Sequence, residues 1–292
     1  MTDRTAAGFD PATPIPPIDQ PPRLDALEAA VRRRSALVPE IGIVLGSGLG
    51  GLADELEDAT AIPFEELPGW PAATAPGHRG RLLLGHLAGR RVVLLQGRLH
   101  IYEGNDVGLV VQPVLLFKRL GASAVVLSNS AGGLDPGYQA GTLMLIRDHI
   151  NLSGRNPLIG QNADSIGTRF PDMTHVWSPR LRTALRAAAE AEGVDLEEGV
   201  YIQLAGPSFE TPAEVLMYAG LGGHAIGMST GVEAIAANWA GLEVCGVSLV
   251  TNPGAGYTGE TLSHAEVLAA AAEAGPRLGR VIRRFVADYA LA

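Results

Sequence analysis

Aliphatic runs alternate along the chain with amphipathic segments, and this alternation predicts both strands and helices. Leu24, Leu27 and Val31 lie near helical spacing and predict a first helix over residues 23–36, before Pro39 interrupts the pattern. The run Ile41–Leu45 that follows contains no polar side chain. A run of this kind is typical of a strand that is buried on both faces.

The same pattern continues to the C-terminus and predicts the fold class. Further strands are expected at residues 81–85, 91–96, 124–128, 142–146, 200–204 and 243–250. Helix signals separate several of these runs: a helix over 107–120, one over 179–192, and three capping boxes formed by Thr211 with Glu214, Thr230 with Glu233, and Ser263 with Glu266. Strands that alternate with helices predict an α/β sandwich with helices on both faces of the sheet. Functional loops then lie at the strand ends.

Composition sets the domain organisation. A chain of 292 residues with 47% hydrophobic and 18% charged residues can bury one large core. Residues 1–22 are rich in proline and are predicted to be a flexible tail, and residues 23–292 a single domain. No run of about 18 apolar residues occurs, and the first residues lack the apolar centre of a signal peptide. We therefore expect a cytoplasmic protein with no membrane span.

Charge and cysteine content exclude several classes of function. The formal net charge of −9 argues against a nucleic-acid surface, which needs a basic stripe. Any anion must therefore be bound locally, by a few placed cations and backbone N–H groups. Cys245 is the single cysteine, so a disulfide framework and a cysteine-based zinc site are excluded. Its apolar surroundings in the sequence predict a buried thiol.

A glycine-rich loop follows the first predicted strand, at Gly46, Ser47 and Gly48. Glycines allow successive N–H groups to turn toward one anion, and the Ser47 hydroxyl adds a donor. The spacing through Gly51 also matches a dinucleotide-binding fingerprint. The short helix that follows disfavours a dinucleotide site, because a βαβ crossover needs a longer connection. Pro63 in the next strand also disfavours it, because proline is rarely found in a central strand. A phosphate cradle, a dinucleotide site and a purely structural turn remain as interpretations.

Polar groups also gather after the strand at 91–96. If this segment is extended, Arg98, His100 and Tyr102 project from one face and form an array of hydrogen-bond donors for a phosphate and a sugar. The alternative is a polar sheet face without function. His78 precedes the neighbouring strand and either touches an anion or is an exposed loop histidine.

The remaining candidates also lie at strand ends or at helix starts. Small residues at 128–133 suit close approach of the backbone to a ligand. Phe209 can stack on a flat base and Glu210 can accept an N–H from it, although a carboxylate beside a helix N-terminus is also favourable without any ligand. Ser229 lies at a capped helix start and adds an anion donor, and Asn252 carries both a donor and an acceptor.

Seven segments in this order resemble the motifs of the trimeric purine nucleoside phosphorylase family, and the similarity covers roughly residues 40–285. The resemblance implies a phosphorylase/hydrolase-like three-layer sandwich with a distorted mixed β-sheet, a homotrimer, and no cofactor or metal beyond inorganic phosphate as co-substrate. The motifs are Gly46-Ser-Gly-Leu-Gly50, Pro76-Gly-His78, Gln96-Gly-Arg-x-His-x-Tyr-Glu-Gly104, Ala131-Gly-Gly-Leu134, Ile146-Arg-Asp-His-Ile-Asn-Leu152, Gly206-Pro-Ser-Phe-Glu-Thr211 and Gly227-Met-Ser-Thr230.

The resemblance also implies roles for individual residues. The implied phosphate ligands are Ser47, His78, Arg98, His100, Ser130 and Ser229; the ribose ligands are Tyr102, Met228 and His264; the purine ligands are Ala131, Gly132, Phe209, Glu210 and Asn252. Glu210, Asn252 and His100 are expected to act in catalysis. The expected reaction is phosphorolysis of inosine, guanosine and their 2′-deoxy forms in purine salvage.

Three rival functions remain at this point. Methylthioadenosine phosphorylases resemble this family but have an aspartate where Asn252 stands. A nicotinamide-dependent oxidoreductase would use the glycine loop, and a nucleoside-binding protein would have no turnover. In mammalian members an aromatic residue of a neighbouring subunit closes the sugar site; here Phe170 and Trp177 are candidates for that part.

Overall fold

The strands form a single nine-stranded mixed sheet. The computed structural model describes residues 12–46, 49–74, 79–259, 261 and 263–290. Within them the strand order is β2-β3-β4-β1-β5-β8-β7-β6-β9, with an additional pairing between β5 and β9. The strands are β1 Ile41–Leu45, β2 Glu57–Pro63, β3 Arg81–Leu87, β4 Arg90–Gln96, β5 Ala124–Gly133, β6 Leu143–Asn151, β7 Glu197–Gln203, β8 Ala225–Gly227 and β9 Glu243–Pro253.

Strand β5 distorts this sheet because it has neighbours along both edges. Its first half pairs in parallel with β1, and its last two residues pair antiparallel with β8. The opposite edge pairs in parallel with β9 along the whole strand, with a register shift after Ala131. Strand β9 also pairs with β6, β6 with β7, and β7 with β8, so these five strands form a closed ring. The carboxyl ends of β1, β4, β5 and β9 meet at one edge of the sheet.

Helices cover both faces of the sheet, so the predicted three-layer α/β sandwich with a distorted mixed sheet is confirmed. They are α1 Gln20–Arg32, α2 Val107–Val110, α3 Gln112–Leu120, α4 Pro179–Ala191, α5 Pro212–Gly220, α6 Gly231–Trp239 and α7 His264–Asp288. One apolar core lies between the sheet and α1, α3 and α6, and the other between the sheet and α4 and α7. A smaller cluster around Ile202 and Val215 anchors α5.

Several elements differ in length from the prediction. Three strands run past their apolar core, because β5, β6 and β9 continue to Gly133, Asn151 and Pro253 through small or polar residues. The three-residue strand β8 was missing from the prediction. The helix predicted over 107–120 is interrupted at Val111, just before Pro113, whose ring cannot continue a hydrogen-bonded helix.

The proline-rich segment before Arg23 packs on the domain over its described part. Ile15 is buried, and its N–H donates to Asp106 Oδ1 at 2.9 Å. The N–H of Ile18 donates to the carbonyl of Gln161, and α1 begins at Gln20. The predicted boundary of a flexible tail at residue 22 therefore moves toward the N-terminus, since residues 15–22 belong to the packed fold.

Three local expectations are confirmed. The capping boxes at Thr211, Thr230 and Ser263 are all formed. Cys245 is fully buried, and burial raises the pKa of its thiol. Among the described residues, no helix has the length and apolar character needed to cross a bilayer.

Candidate active site

A cavity of about 280 Å³ opens where the carboxyl ends of β4, β5 and β9 meet. Each predicted site residue that the structure describes lines this cavity. These residues are Arg98, His100, Tyr102, Ser130, Ala131, Gly132, Phe209, Glu210, Met228, Ser229, Asn252 and His264. Ser47 and His78 lie outside the described residues.

Arg98 follows β4 and is held rigidly. Its guanidinium is 2% exposed and forms an ion pair with Glu233, with Nε 3.0 Å from the carboxylate. Its Nη1 donates to the carbonyl of Ser128 in β5. A guanidinium fixed on two sides in this way presents its charge to the cavity in one orientation.

His100 and Tyr102 reach the cavity through a turn rather than an extended strand. Residues Ile101–Glu103 form one turn of 3-10 helix, and the rings of His100 and Tyr102 stack with centroids 4.6 Å apart. The sequence interpretation that these side chains share one face of a strand is therefore wrong about the backbone. Both rings reach the cavity because they stack on each other across this turn, and not because side chains alternate along a strand.

Glu103 fixes the imidazole of His100. Its Oε1 accepts from the backbone N–H of His100 and lies 2.9 Å from Nδ1. Burial raises the pKa of Glu103, but hydrogen bonds from His100 and Thr74 outweigh it and lower that pKa to about 2. Burial and the charge of Arg98 lower the pKa of His100 against the opposing effect of Glu103. A carboxylate at Nδ1 sets the orientation of the ring and the position of its proton.

Ser229 stands at the start of α6, opposite Arg98. Its backbone N–H donates to the Tyr201 hydroxyl at 3.5 Å, and its hydroxyl lies 3.1 Å from Thr230 Oγ1. Gly227 makes room for this arrangement, because a Cβ there would lie 2.6 Å from the Tyr201 hydroxyl. The Ser229 hydroxyl can donate to an anion in the cavity.

The wall of the cavity between these groups is backbone from the end of β5. Ser130, Ala131 and Gly132 lie where β5 changes its register against β9. The small side chains at this bend leave the main chain accessible to a ligand. Polar side chains therefore surround the exposed main-chain groups at the end of β5.

At the far end of the cavity Phe209 and Glu210 precede α5. Phe209 is 40% exposed, so one face of its ring is accessible to a flat ligand. Burial raises the pKa of the Glu210 carboxyl, and the nearby Glu214 raises it further against a lowering backbone hydrogen bond. A carboxylate in this partly buried position can accept a strong hydrogen bond from a ligand N–H.

Asn252 reaches the same end from β9 and is oriented by Thr251. The Thr251 hydroxyl donates to Asn252 Oδ1 at 3.0 Å, and Asn252 Nδ2 donates to the carbonyl of Pro253. With its oxygen occupied by a donor, the amide presents its NH₂ group as the ligand-binding side.

Met228 and His264 lie between the two ends of the cavity. Met228 packs against Gly206, where a Cβ would lie 2.3 Å from the Met228 sulfur. His264 is the first residue of α7 and is exposed on the solvent side. An apolar thioether and a solvent-facing imidazole are therefore available to a group bound at the centre.

The sequence analysis missed two functional candidates. Glu233 was interpreted only as the third residue of a capping box, and the structure adds its ion pair with Arg98. Thr251 was not singled out, although it lines the cavity and orients Asn252. For Glu233 the available signal was a capping glutamate in the largely apolar helix 231–239. For Thr251 the sequence offered no signal.

A second cavity of about 510 Å³ lies apart from this site, beside His149, Arg169 and Phe170. It contains none of the predicted site residues. Trp177 is 2% exposed and donates from Nε1 to His149 Nδ1, so it belongs to the core and is not available to a neighbouring subunit. Phe170 is 85% exposed and remains a candidate for the aromatic residue that closes the sugar site of a neighbouring subunit.

Residues 40–287 match the model of the phosphorylase superfamily. The chain belongs to this superfamily. Purine nucleoside phosphorylase 1 of Geobacillus stearothermophilus is 47% identical over 230 residues, which cover 79% of this chain and 84% of the relative. Purine nucleoside phosphorylase 1 of Bacillus subtilis strain 168 is 41% identical over 267 residues, or 91% of this chain and 98% of the relative. These relatives place the chain in the purine nucleoside phosphorylase family.

Solved structures agree with this family. Schistosoma mansoni purine nucleoside phosphorylase in complex with inosine superposes with a TM-score of 0.88 at 34% identity, covering 93% of this chain and 98% of that chain. Isoform 2 of the same organism's enzyme, in complex with cytosine and ribose-1-phosphate, has a TM-score of 0.89 at 33% identity and covers 96% of this chain and 100% of that chain. The fold of the family therefore extends over nearly all of the chain.

Proposed function

We propose that this protein is a purine nucleoside phosphorylase that acts on inosine, guanosine and their 2′-deoxy forms. The products are the free purine and (deoxy)ribose 1-phosphate, and phosphate is the nucleophile. The observation that carries the proposal is the division of one cavity into a cationic, hydroxyl-rich end at Arg98, His100 and Ser229 and a base-binding end at Phe209, Glu210 and Asn252.

The cationic end suits a phosphate dianion. The protein carries a net charge of −9, so attraction of phosphate depends on local groups. Arg98 supplies a charge that its burial shields from water, and Ser229 supplies a hydroxyl before the start of α6. The proposed phosphate ligands also include Ser130, and Ser47 and His78 from segments outside the described residues.

The reaction follows from the placement of the two ends. A phosphate oxygen attacks C1′ of the sugar while the C1′–N9 bond breaks and its electron pair leaves with the purine. The sugar becomes cationic in the transition state, and the phosphate dianion stabilises it before the new bond forms. In this proposal Tyr102, Met228 and His264 hold the ribose between the ends.

The base-binding end then stabilises the departing purine. Glu210 accepts the N1–H that hypoxanthine and guanine have and adenine lacks. The Asn252 NH₂ group, oriented by Thr251, donates to N7 or O6 as negative charge develops there. The backbone of Ala131 and Gly132 and the ring of Phe209 complete this proposed purine site. An unmatched hydrogen bond in such a site discriminates between bases by orders of magnitude.

The proposed chemistry uses inorganic phosphate as co-substrate and needs no cofactor or metal. In the proposed reaction the bound phosphate stabilises the positive charge on the sugar, and Asn252 stabilises the negative charge on the purine. Dialysis against EDTA, followed by assay of the phosphate-dependent cleavage of inosine, tests this point. A loss of activity that a divalent cation restores would contradict it.

The decisive experiment measures purine release from inosine with and without phosphate. We expect release only with phosphate, in equal amount with ribose 1-phosphate. Release that is indifferent to phosphate would identify a hydrolase, and clear preference for methylthioadenosine would reject the role given to Asn252. Saturable binding of NAD without cleavage of any nucleoside, or binding of inosine without turnover, would reject the proposal itself.

The assembly and location are also proposed. We expect the chain to act as a single domain, which includes the packed residues 15–22, within a cytoplasmic homotrimer. Large apolar side chains exposed on the described surface support a covered interface, among them Ile159, Phe170 and Leu216. Light scattering after size-exclusion chromatography should give three times the chain mass of 30.4 kDa. A monomeric mass would contradict the trimer, and cell fractionation tests the location.

A further inference from the structure

Glu233 is a buried carboxylate to which the reaction scheme assigns no contact with substrate. It lies in the first turn of α6 and its side chain is 1% exposed. It faces Arg98, which is 135 residues distant in sequence and equally buried, with Arg98 Nε 3.0 Å from the carboxylate. Desolvation of two such charges is costly, so a pair at this depth needs more than one bond to be maintained.

The same carboxylate also restrains the start of α6. Its Oε2 accepts from the backbone N–H of Thr230 at 2.7 Å. Thr230 has φ of +82°, a strained conformation that residues other than glycine rarely adopt. Asn129 Nδ2 donates to Thr230 Oγ1 at 3.0 Å from the other side. Thr230 is thus held in its strained conformation by two elements, α6 and β5.

The strained residue lies directly after Ser229. A relaxed backbone at Thr230 turns the peptide that joins it to Ser229, and with it the donors that Ser229 presents to the cavity. Arg98 and Ser229 come from opposite sides of the phosphate end, one after β4 and the other before α6. Glu233 is bonded to Arg98 directly and to the Ser229–Thr230 turn through the backbone.

From these contacts we infer that Glu233 is a positioning residue for the phosphate site, which fixes the separation between Arg98 and the Ser229–Thr230 turn. The inference rests on the proposed function, because it gives a role within the same reaction. Glu233 acts through its two neighbours and has no contact with the reacting atoms. An ordinary helix cap stabilises its helix and has no effect on the affinity for one substrate in particular.

The test is Glu233→Gln, assayed for both substrates. A glutamine has no negative charge and replaces one carboxylate oxygen with an NH₂ group, so it loses the ion pair with Arg98 and one of the two acceptor oxygens. We expect the KM for phosphate to rise about tenfold to a hundredfold, because a hydrogen bond to a charged group is lost. The KM for inosine at saturating phosphate should stay within about twofold, since both bonds lie at the phosphate end.

Glu266→Gln is the matched control. Glu266 occupies the corresponding position in the capping box of α7, where its Oε2 accepts from the backbone N–H of Ser263. It makes the same cap without an ion pair to a site arginine. The KM for phosphate should therefore be that of the wild type, and an equal rise in both variants would show that capping alone is responsible.

Glu233→Asp keeps the charge and is one methylene shorter, so it reaches one of the two partners and should raise the KM for phosphate by less than the glutamine. The inference is overturned if folded Glu233→Gln has a KM for phosphate within about twofold of the wild type, or a lower kcat with both KM values unchanged. It is also overturned if neither variant folds, because the role of Glu233 is then structural. A wild type without phosphate-dependent cleavage would instead reject the proposed function.

Discussion

At the scale of single residues, carboxylates determine how the polar groups of the site are held. Glu103 orients His100, Glu233 orients Arg98, and Glu210 faces the opposite end of the cavity. Glu103 and Glu233 each lie beside a cationic or imidazole group. Glu210 has no such partner among the lining residues, and burial raises the pKa of its carboxyl. Glu103, whose pKa is lowered, and Glu210, whose pKa is raised, therefore differ in how they respond to pH.

The activity toward inosine should fall on the acid side at a higher pH than an ordinary glutamate predicts. The raised pKa means that Glu210 takes up its proton early as the pH falls, and a protonated carboxyl no longer accepts the N1–H as an anion. The measurement is the pH profile of kcat/KM. In Glu210→Gln this acid limb should be absent, and an unchanged limb in that variant would assign it to another group.

Thr251 should matter for the purine and not for phosphate. Thr251→Val keeps the shape of the side chain and removes the hydroxyl that donates to Asn252 Oδ1. Without this bond the amide keeps only its hydrogen bond to the Pro253 carbonyl and is held less firmly, so we expect kcat/KM for inosine to fall about tenfold, the equivalent of about 1.4 kcal/mol. Thr251→Ser restores the hydroxyl and should recover most of the loss. A loss that the serine variant fails to recover would point to packing instead.

Most of the residues that line the site could be predicted from the sequence, but the residues that hold them in place could not. Residues such as Arg98, Ser229 and Asn252 could be selected because a functional group follows a strand or begins a helix. The partners of these groups could not be selected in the same way. Glu233 is distant from Arg98 in the chain, and the strand order β4-β1-β5-β8, with α6 directly after β8, brings the two segments together.

At the scale of elements, the predicted strand cores and helix caps were reliable while the strand ends were not. Aliphatic runs predicted the centres of β5, β6 and β9, since burial on both faces leaves a continuous apolar pattern. Their extensions are formed by residues that tertiary pairing recruits, such as Ser130 to Gly133 against β8 and β9. These extensions line the cavity, so the least predictable parts of the strands are those that form the site.

The start of α2 joins the N-terminal segment to the domain. Asp106 Oδ1 accepts from the N–H of Gly108 and from that of Ile15, each at 2.9 Å. Asp106→Ala removes both bonds and should lower the free energy of unfolding by about 1–2 kcal/mol. Chemical denaturation measures this change. Asp106→Asn retains an acceptor oxygen and should lose less, and equal losses in the two variants would mean that charge matters more than the cap.

At the scale of the whole molecule, phosphate should stabilise the folded chain by linkage. A ligand that binds only the folded state at about 100 times its Kd adds about 2.7 kcal/mol to stability. We expect the melting temperature to rise with inorganic phosphate and to stay constant with chloride at equal ionic strength. Ser229→Ala should need more phosphate for the same rise. An equal response in this variant would show that phosphate stabilises the protein elsewhere.

The closed ring of strands has a consequence for association between molecules. In the described part of the chain, β2 is the one strand paired along a single edge, because the closing of β9 onto β5 leaves no second open end. An open strand edge invites another chain to add a strand and to aggregate. On β2 that edge carries Glu57 and Asp58, an irregular register before Thr60, and Pro63 at its end. Like charges repel the same edge of a second molecule, and proline lacks the N–H needed for pairing. The open edge of β2 is therefore poorly suited to the addition of a strand from another molecule.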